Sequence, residues 1–479
     1  MENTRAQAYI RLFTLGCVLL VSACGSGGGS GTDAPPPVSA VQVPLPEVSP
    51  FATVAAAGDD WITFAHDYQR TGFQAQNAGI TAANVATLVP RWKTLVNDEI
   101  YASPLVYNGN VIIVTLLGTV YDLSSKDGSI IWQRTIGGEV RATPSIDNNT
   151  VFVSNRLADA KGNPLPSWMF ALHLSDGSLA WQAQVDGLTH GSPLVASGVV
   201  YVGTSGGDPE IGCHDGGVTA LSETTGAQIW NWKVNPDPQG GGSSWGALAY
   251  DGQHIYLGTG NTCENPWPTA NGIVALTTGG QLAWATSEVN NATYNQDDDT
   301  GSGVTLWYGR ATFMNKNGTL YTVNAANGKP VWNTALGAVD QQGGFATATT
   351  DGSTLFAGAG LVASSSAASK KGHPAVDDWK RRHEKGWYPG YVSYLRALDV
   401  NGRILWSKQM QNWIVSYAAV TNGLVFAGLD TNLTALDPKT GNVLWSYASP
   451  NIFEAGPVIV PSGVYAADAS GYVYAFALP

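Results

Sequence analysis

Short apolar runs separated by glycine and Asp/Asn turns recur along the chain in one fixed order. Each unit opens on small residues and a β run, and turns at Gly. A second run follows, such as Val199-Val-Tyr-Val-Gly203, then a third, such as Val218-Thr-Ala-Leu221, then another Gly turn leading to Trp. The runs are too short for helices and are joined by tight turns, so the pattern predicts antiparallel strands throughout. Seven Gly-x3-Trp signatures end in Trp132, Trp181, Trp230, Trp284, Trp332, Trp406 and Trp445. Trp92 marks an eighth unit without the preceding Gly. Most spacings are 39 to 54 residues, the period of a four-stranded propeller blade. The chain ends on Gly471-Tyr-Val-Tyr-Ala-Phe476, a third strand with no Trp after it, and begins with Trp92 lacking a unit before it. The expected fold is therefore all-β, an eight-bladed β-propeller closed by pairing of the N- and C-terminal strands, which removes the open edge.

Composition narrows the partners. Among 479 residues, 13% are charged and 57 are Gly, which suits a turn-rich β protein; the net charge of −12 excludes nucleic-acid backbone binding. The N-terminus carries Arg5 and Arg11, an apolar run from Leu12 to Val21, and then Val21-Ser-Ala-Cys24. This reads as a lipoprotein signal peptide over residues 1–23, with Cys24 as the acylated first residue. The apolar run is too short to span a bilayer, so the expected membrane link is the lipid. Residues 24–60 form a Gly/Ser/Pro linker and 61–479 the propeller. Gly25 after the Cys points to the periplasm and the outer membrane. Cys17 leaves with the signal. Cys213 and Cys263 remain, both in second-to-third strand loops of neighbouring units, and are expected to form a disulfide; metal ligation through Cys213-His214 is the other option. No Cys-x-x-Cys-His string offers covalent haem.

In such a fold the start of the innermost strand and the second-to-third strand loop open on the same face. Aligning the units places Tyr101, Arg141, His190, Trp245, Thr300, Phe345 and Glu454 around the axis. The loops add Glu210, Asn261 and Lys316, and Asp297-Asp-Asp299 leads into the fifth inner strand. A cation, an imidazole, flat rings and acids on one face describe a polar mouth, and three acids in succession at Asp297–Asp299 suit a cation or a raised pKa there. An insertion from 361 to 391, carrying Trp379, Trp387 and Tyr388, interrupts the same kind of loop in the sixth unit and is expected to overhang that face.

From about Trp61 to Pro479 the sequence resembles the PQQ-dependent (quinoprotein) dehydrogenases, particularly their polyvinyl-alcohol-dehydrogenase-like branch. The likeness is carried by His66-Asp-Tyr-Gln-Arg-Thr-Gly72, Ile80-Thr-Ala-Ala-Asn-Val85, Trp245-Gly-Ala-Leu-Ala-Tyr-Asp251, Tyr256-Leu-Gly-Thr-Gly-Asn261 and Lys316-Asn-Gly-Thr-Leu-Tyr-Thr-Val-Asn324. The resemblance implies pyrroloquinoline quinone (PQQ) and Ca²⁺ as cofactors. It also implies an alcohol-bearing substrate, with a polymer such as polyvinyl alcohol as a candidate, and an external electron acceptor, a cytochrome or a quinone. Carried over residue by residue, Trp245 lies under the PQQ rings, Arg141 pairs with a PQQ carboxylate, and His190 and Trp413 contact the cofactor. Glu210, Asn261 and Asp299 ligate Ca²⁺. Lys316 donates to the quinone oxygens, and Asp299 is the catalytic base, with Asp298 and Asp297 as register alternatives. Tyr101 stands where alcohol-oxidising members carry an acid, and His190 replaces a hydroxyl residue. A non-catalytic propeller lipoprotein resembling the outer-membrane assembly scaffold is the alternative.

Overall fold

The computed structural model describes residues 60–77, 79–159, 164–206, 216–237, 240–260, 262, 267–287, 299–337, 344–363, 391–410 and 416–479. Blade 1 comprises Leu105–Tyr107, Asn110–Val114, Thr119–Ser124 and Ile130–Thr135, a four-stranded antiparallel meander. Blades 2 to 7 repeat this order from Ser145–Asp147 through Val443–Ala448. Blade 8 takes its three inner strands, Val458–Val460, Gly463–Ala467 and Tyr472–Ala477, from the C-terminus and its outer strand, Val89–Leu95, from the N-terminus. The ring thus closes as expected, with Trp92 opposite Ala475. A single 3-10 turn, Val85–Thr87, is the one helical element among the described residues.

The Gly-x3-Trp signature encodes contact between blades. Each signature Trp donates its indole N–H to a carbonyl where the next blade turns into its outer strand, at 2.7 to 3.1 Å in all eight cases, ending with Trp445 to Leu88 O across the closure. In seven of the eight, the next blade's turn glycine lies flat on that indole. Gly226, for instance, has φ +70° and no room for a Cβ against Trp181. Glycine is required there twice over, for the left-handed backbone and for the close approach.

Within a blade, the second strand gives an aromatic, the third an Ala and the fourth the Trp, side by side: Tyr201, Ala220 and Trp230 in blade 3, or Tyr465, Ala475 and Trp92 in blade 8. Large beside small fills the layer without voids. Two blades break the rule. Blade 5 has Thr312 beside Thr322, joined by a 2.9 Å hydrogen bond, and blade 1 has Ile112 beside the fully buried Asp122.

Before the first blade, residues 61–72 run across the inner strands near their ends. They exchange backbone hydrogen bonds with Val106, Ile146, Tyr250, Leu306, Thr350 and Val420, one in each of blades 1, 2, 4, 5, 6 and 7. Trp61, Ala65 and Arg70 of this segment have no exposed surface. The Arg70 guanidinium donates to Leu248 O, Thr63 Oγ1 and Phe64 O at 2.7 to 2.9 Å, and burial lowers its pKa to about 10. Because these contacts are at the ends of the inner strands, the segment fills the channel on the face opposite the strand starts.

Candidate functional site

Blade 5 supplies the most closely tied group of side chains on the strand-start face. Thr300 and Asn315 form a bridge, and the Lys316 N–H donates to Asp299 O at 2.8 Å, zipping the start of the inner strand to the second-to-third strand turn. That tie brings Lys316 Nζ to 2.8 Å from Asp299 Oδ2, with each side chain only 7% exposed. Gly260 packs so closely on Asp299 and Ser243 that any Cβ would collide with both. The Lys316 ammonium also sits 5.1 Å from the Trp245 ring and 5.5 Å from the Phe345 ring, inside cation–π range. Thr300, placed at the axis by the sequence pattern, instead gives its hydroxyl to Gly272 O at 2.9 Å and is wholly buried. Asp299, one residue earlier, is the group that meets Lys316.

Next to Trp245 stands His190, with ring centroids 4.0 Å apart at 46°. Burial drives its pKa well below the usual imidazole value, and the charges of Arg156, Arg141 and Lys316 push in the same direction. The imidazole is therefore neutral at physiological pH. His190 Nε2 and Trp245 Nε1 are both buried and without a hydrogen-bond partner. Two unsatisfied polar atoms at adjoining positions of one floor, beside cations and flat rings, are suited to a planar ligand that carries acceptors and negative charge.

The first and second blades contribute a charge network. Arg141 contacts Glu139 through Nε, and Arg156 Nε stands 3.9 Å from the other oxygen of the same carboxylate. The Tyr101 hydroxyl donates to Glu99 Oε2 at 2.9 Å, and the Arg141 guanidinium lies 6.0 Å from the Tyr101 ring. Burial raises the Glu454 carboxyl to about 7, with Arg141 opposing and Glu99 reinforcing the rise. Tyr101, expected to be a neutral replacement for an acid, thus brings an acid with it. Glu99, Glu139 and Arg156 were not expected from the sequence; the signal for Glu139 was its position two residues before Arg141, and Arg156 gave none.

Glu210, Asn261, Trp413, Cys213, Cys263, Cys24, Asp297 and Asp298 lie outside the described residues, as does 364–390 of the insertion. The strands flanking that insertion pair up to Ala363 and Tyr391, at the second-to-third strand connection of blade 6. Among the described residues no group of three or more His, Cys, Asp and Glu could hold a metal ion.

The family profile PQQ_2, described as outer membrane protein assembly factor BamB, matches residues 76–165, 118–357 and 391–478. The chain belongs to the PQQ_2 family. No curated protein sequence matches it. Among solved structures, the quinohemoprotein alcohol dehydrogenase of Comamonas testosteroni is similar with a TM-score of 0.70 at 20% identity, over 89% of this chain and 81% of that one. A europium-containing methanol dehydrogenase gives 0.66 at 18% identity, covering 86% and 89%. BamB from Moraxella catarrhalis gives 0.55 at 15% identity, covering 82% and 98%. At such identities these likenesses establish the eight-bladed fold, and the site must carry the rest.

Proposed function

We propose that this PQQ_2 propeller is a PQQ-dependent dehydrogenase that oxidises an alcohol-bearing substrate. The observation that carries the proposal is the buried Lys316–Asp299 pair beside Trp245. A buried ion pair of this kind contributes little net stability and is costly to leave half-made, so a fold that needed only a scaffold would gain nothing from it. The unpartnered Nε2 of His190 and Nε1 of Trp245 fit a planar cofactor with carbonyl and carboxylate acceptors, and the cations around them fit its charge. Trp245 and His190 would form its floor, Arg141 would hold a carboxylate, and Lys316 would face the reactive carbonyl edge. PQQ, when bound, would supply the hydride-accepting quinone.

Asp299 is held by Lys316 and packs closely against Gly260, and its carboxylate would accept the hydroxyl proton of an alcohol placed above Trp245. Lys316 Nζ, shared between Asp299 and the mouth, presents fixed positive charge where negative charge develops. Neutral His190 keeps the floor from repelling cations beside it. We further propose Ca²⁺ as the metal, held by Glu210, Asn261 and Asp299, an external electron acceptor, and a lipid anchor at Cys24 in the periplasm.

The BamB likeness favours a second reading, a non-catalytic lipoprotein scaffold. Anaerobic addition of PQQ and Ca²⁺ to the purified protein separates the two. Stoichiometric binding by absorbance, with dye reduction on adding alcohols, is expected; no binding at micromolar PQQ would leave the scaffold.

A further inference from the structure

The second and third strands of blade 2, Thr150–Ala158 and Pro164–His173, are unusually long. Their register slips between Asn155 and Leu157, where one residue, Arg156, faces two on the third strand, Pro166 and Ser167. The Arg156 backbone pairs with Glu139 on the segment entering the same blade, through Arg156 N–H to Glu139 O at 2.7 Å and Glu139 N–H to Arg156 O at 3.0 Å. Three further contacts fasten the bulge. Asn155 Nδ2 donates to Gly137 O at 3.0 Å, Thr189 Oγ1 donates to Asn155 O at 2.7 Å, and Trp168 N–H donates to Asn155 Oδ1 at 2.9 Å. Gly138, at φ +73°, lies where a Cβ would press on Arg156 O and Leu157. A β-bulge disrupts the ladder and bends the pair locally, and Arg156, opposite this one, is held by its pairing with Glu139 and by these contacts.

The Arg156 side chain carries a guanidinium whose Nε is buried without a hydrogen-bond partner; the nearest carboxylate, Glu139, is beyond hydrogen-bonding distance at 3.9 Å. Burial and the neighbouring Arg141 lower its pKa while Glu139 opposes them. Among the charges acting on His190, that of Arg156 is the largest, ahead of Arg141 and Lys316. Arg156 thus shares the Glu139 carboxylate with Arg141 and acts electrostatically on His190.

We propose that Arg156 is a second carboxylate-binding residue of the cofactor site, acting with Arg141 on the acidic edge of a planar aromatic polycarboxylate and selecting it over uncharged quinones. Two planar forks set side by side match two carboxylates on one ring system, a geometry that Lys cannot reproduce. Glu139 holds Arg141 and keeps the pair of cations from repelling each other before the ligand arrives. The inference rests on the PQQ reading for the identity of the ligand, though not for the anion-binding geometry.

The test is a titration of the full-length protein, followed by tryptophan quenching and calorimetry, with PQQ, with PQQ trimethyl ester and with phthalate. Arg156→Gln should weaken PQQ about 10- to 100-fold, the usual range for a charge-assisted hydrogen bond. The ester should bind wild type and variant alike. Arg156→Lys keeps the charge beside Glu139, protects against misfolding, and should still lose most of that affinity. Equal PQQ affinity in wild type and both variants would overturn the inference while leaving the dehydrogenase reading intact. Failure of the wild type to bind PQQ would sink that reading; phthalate binding lost in Arg156→Gln would then still support the clamp, and no phthalate binding would end it.

Discussion

Replacing Asp122 by Asn should stabilise the protein at alkaline pH and do progressively less as the pH falls. Asp122 is 1% exposed, occupies the third-strand position filled by Ala or Thr in the other blades, and neither carboxylate oxygen has a hydrogen-bond partner. Burial raises its pKa from 3.8 to about 7, with the nearby Trp132 indole and Val111 amide offsetting part of the rise. A group whose folded pKa is raised binds more protons when folded, so stability is lost as pH rises from the unfolded value through the folded one, and the loss is complete above it. With 3.8 and about 7 as the two values, the penalty is about 1.7 kcal/mol at pH 5 and about 4 kcal/mol at pH 8. The amide is isosteric and does not titrate. The advantage of Asp122→Asn over wild type should therefore grow by about 2 to 3 kcal/mol between pH 5 and pH 8, whatever constant cost the buried amide carries. Chemical denaturation of both proteins at the two pH values measures this directly. A difference between variant and wild type that is the same at pH 5 and pH 8 would show that Asp122 ionises as freely in the fold as in the unfolded chain.

Other consequences can be measured as readily. Lys316→Met takes the ammonium away from the buried Asp299, so it should lower stability by about 3 kcal/mol or more and abolish the proposed alcohol oxidation. Adding Asp299→Leu should restore the stability but not the turnover, a pattern read by thermal unfolding and dye-linked assay. His190 should show a flat C2-proton NMR shift between about pH 5.5 and 8, because burial and three cations hold it neutral; titration near the ordinary imidazole value would refute that account. Gly226→Ala, which forces a methyl into the Trp181 indole at φ +70°, should cost about 3 kcal/mol in thermal or urea unfolding. Gly198→Ala, at φ +81° with open space around it, should cost about 1 kcal/mol from the backbone alone. Similar losses in both would mean that the indole contact is not what requires glycine.

The architecture was legible because each Gly-x3-Trp writes a contact between neighbouring blades into a local motif: Gly226 must be glycine for Trp181, and Trp230 in turn reaches Thr278. Ring closure was legible because the ends carry complementary fractions of one blade. Lys316 and Asp299 could be placed on one face from strand order, and the structure brings them into contact. What stayed hidden depends on departures from the repeat. Arg156 lies opposite a bulge in the facing strand, and alternation alone does not reveal that Pro166 and Ser167 together face one residue. Asp122 reads as an ordinary polar strand residue until the partner strand shows Ile112 where most blades have an aromatic. The segment from Trp61 to Gly72 was visible as a motif, but its contacts span six blades and have no local signature.

That segment lies across the propeller axis at the end opposite the strand starts, tied to six of the eight blades. With Trp61, Ala65 and Arg70 filling the rear of the channel, a molecule that reaches Trp245 from the strand-start face must leave the way it came. Inward and outward traffic then share one doorway, so a departing product delays the next arrival, and any large partner that docks on the rim shuts the door for as long as it stays. For an oxidoreductase built on this plan, the two half-reactions have to take turns.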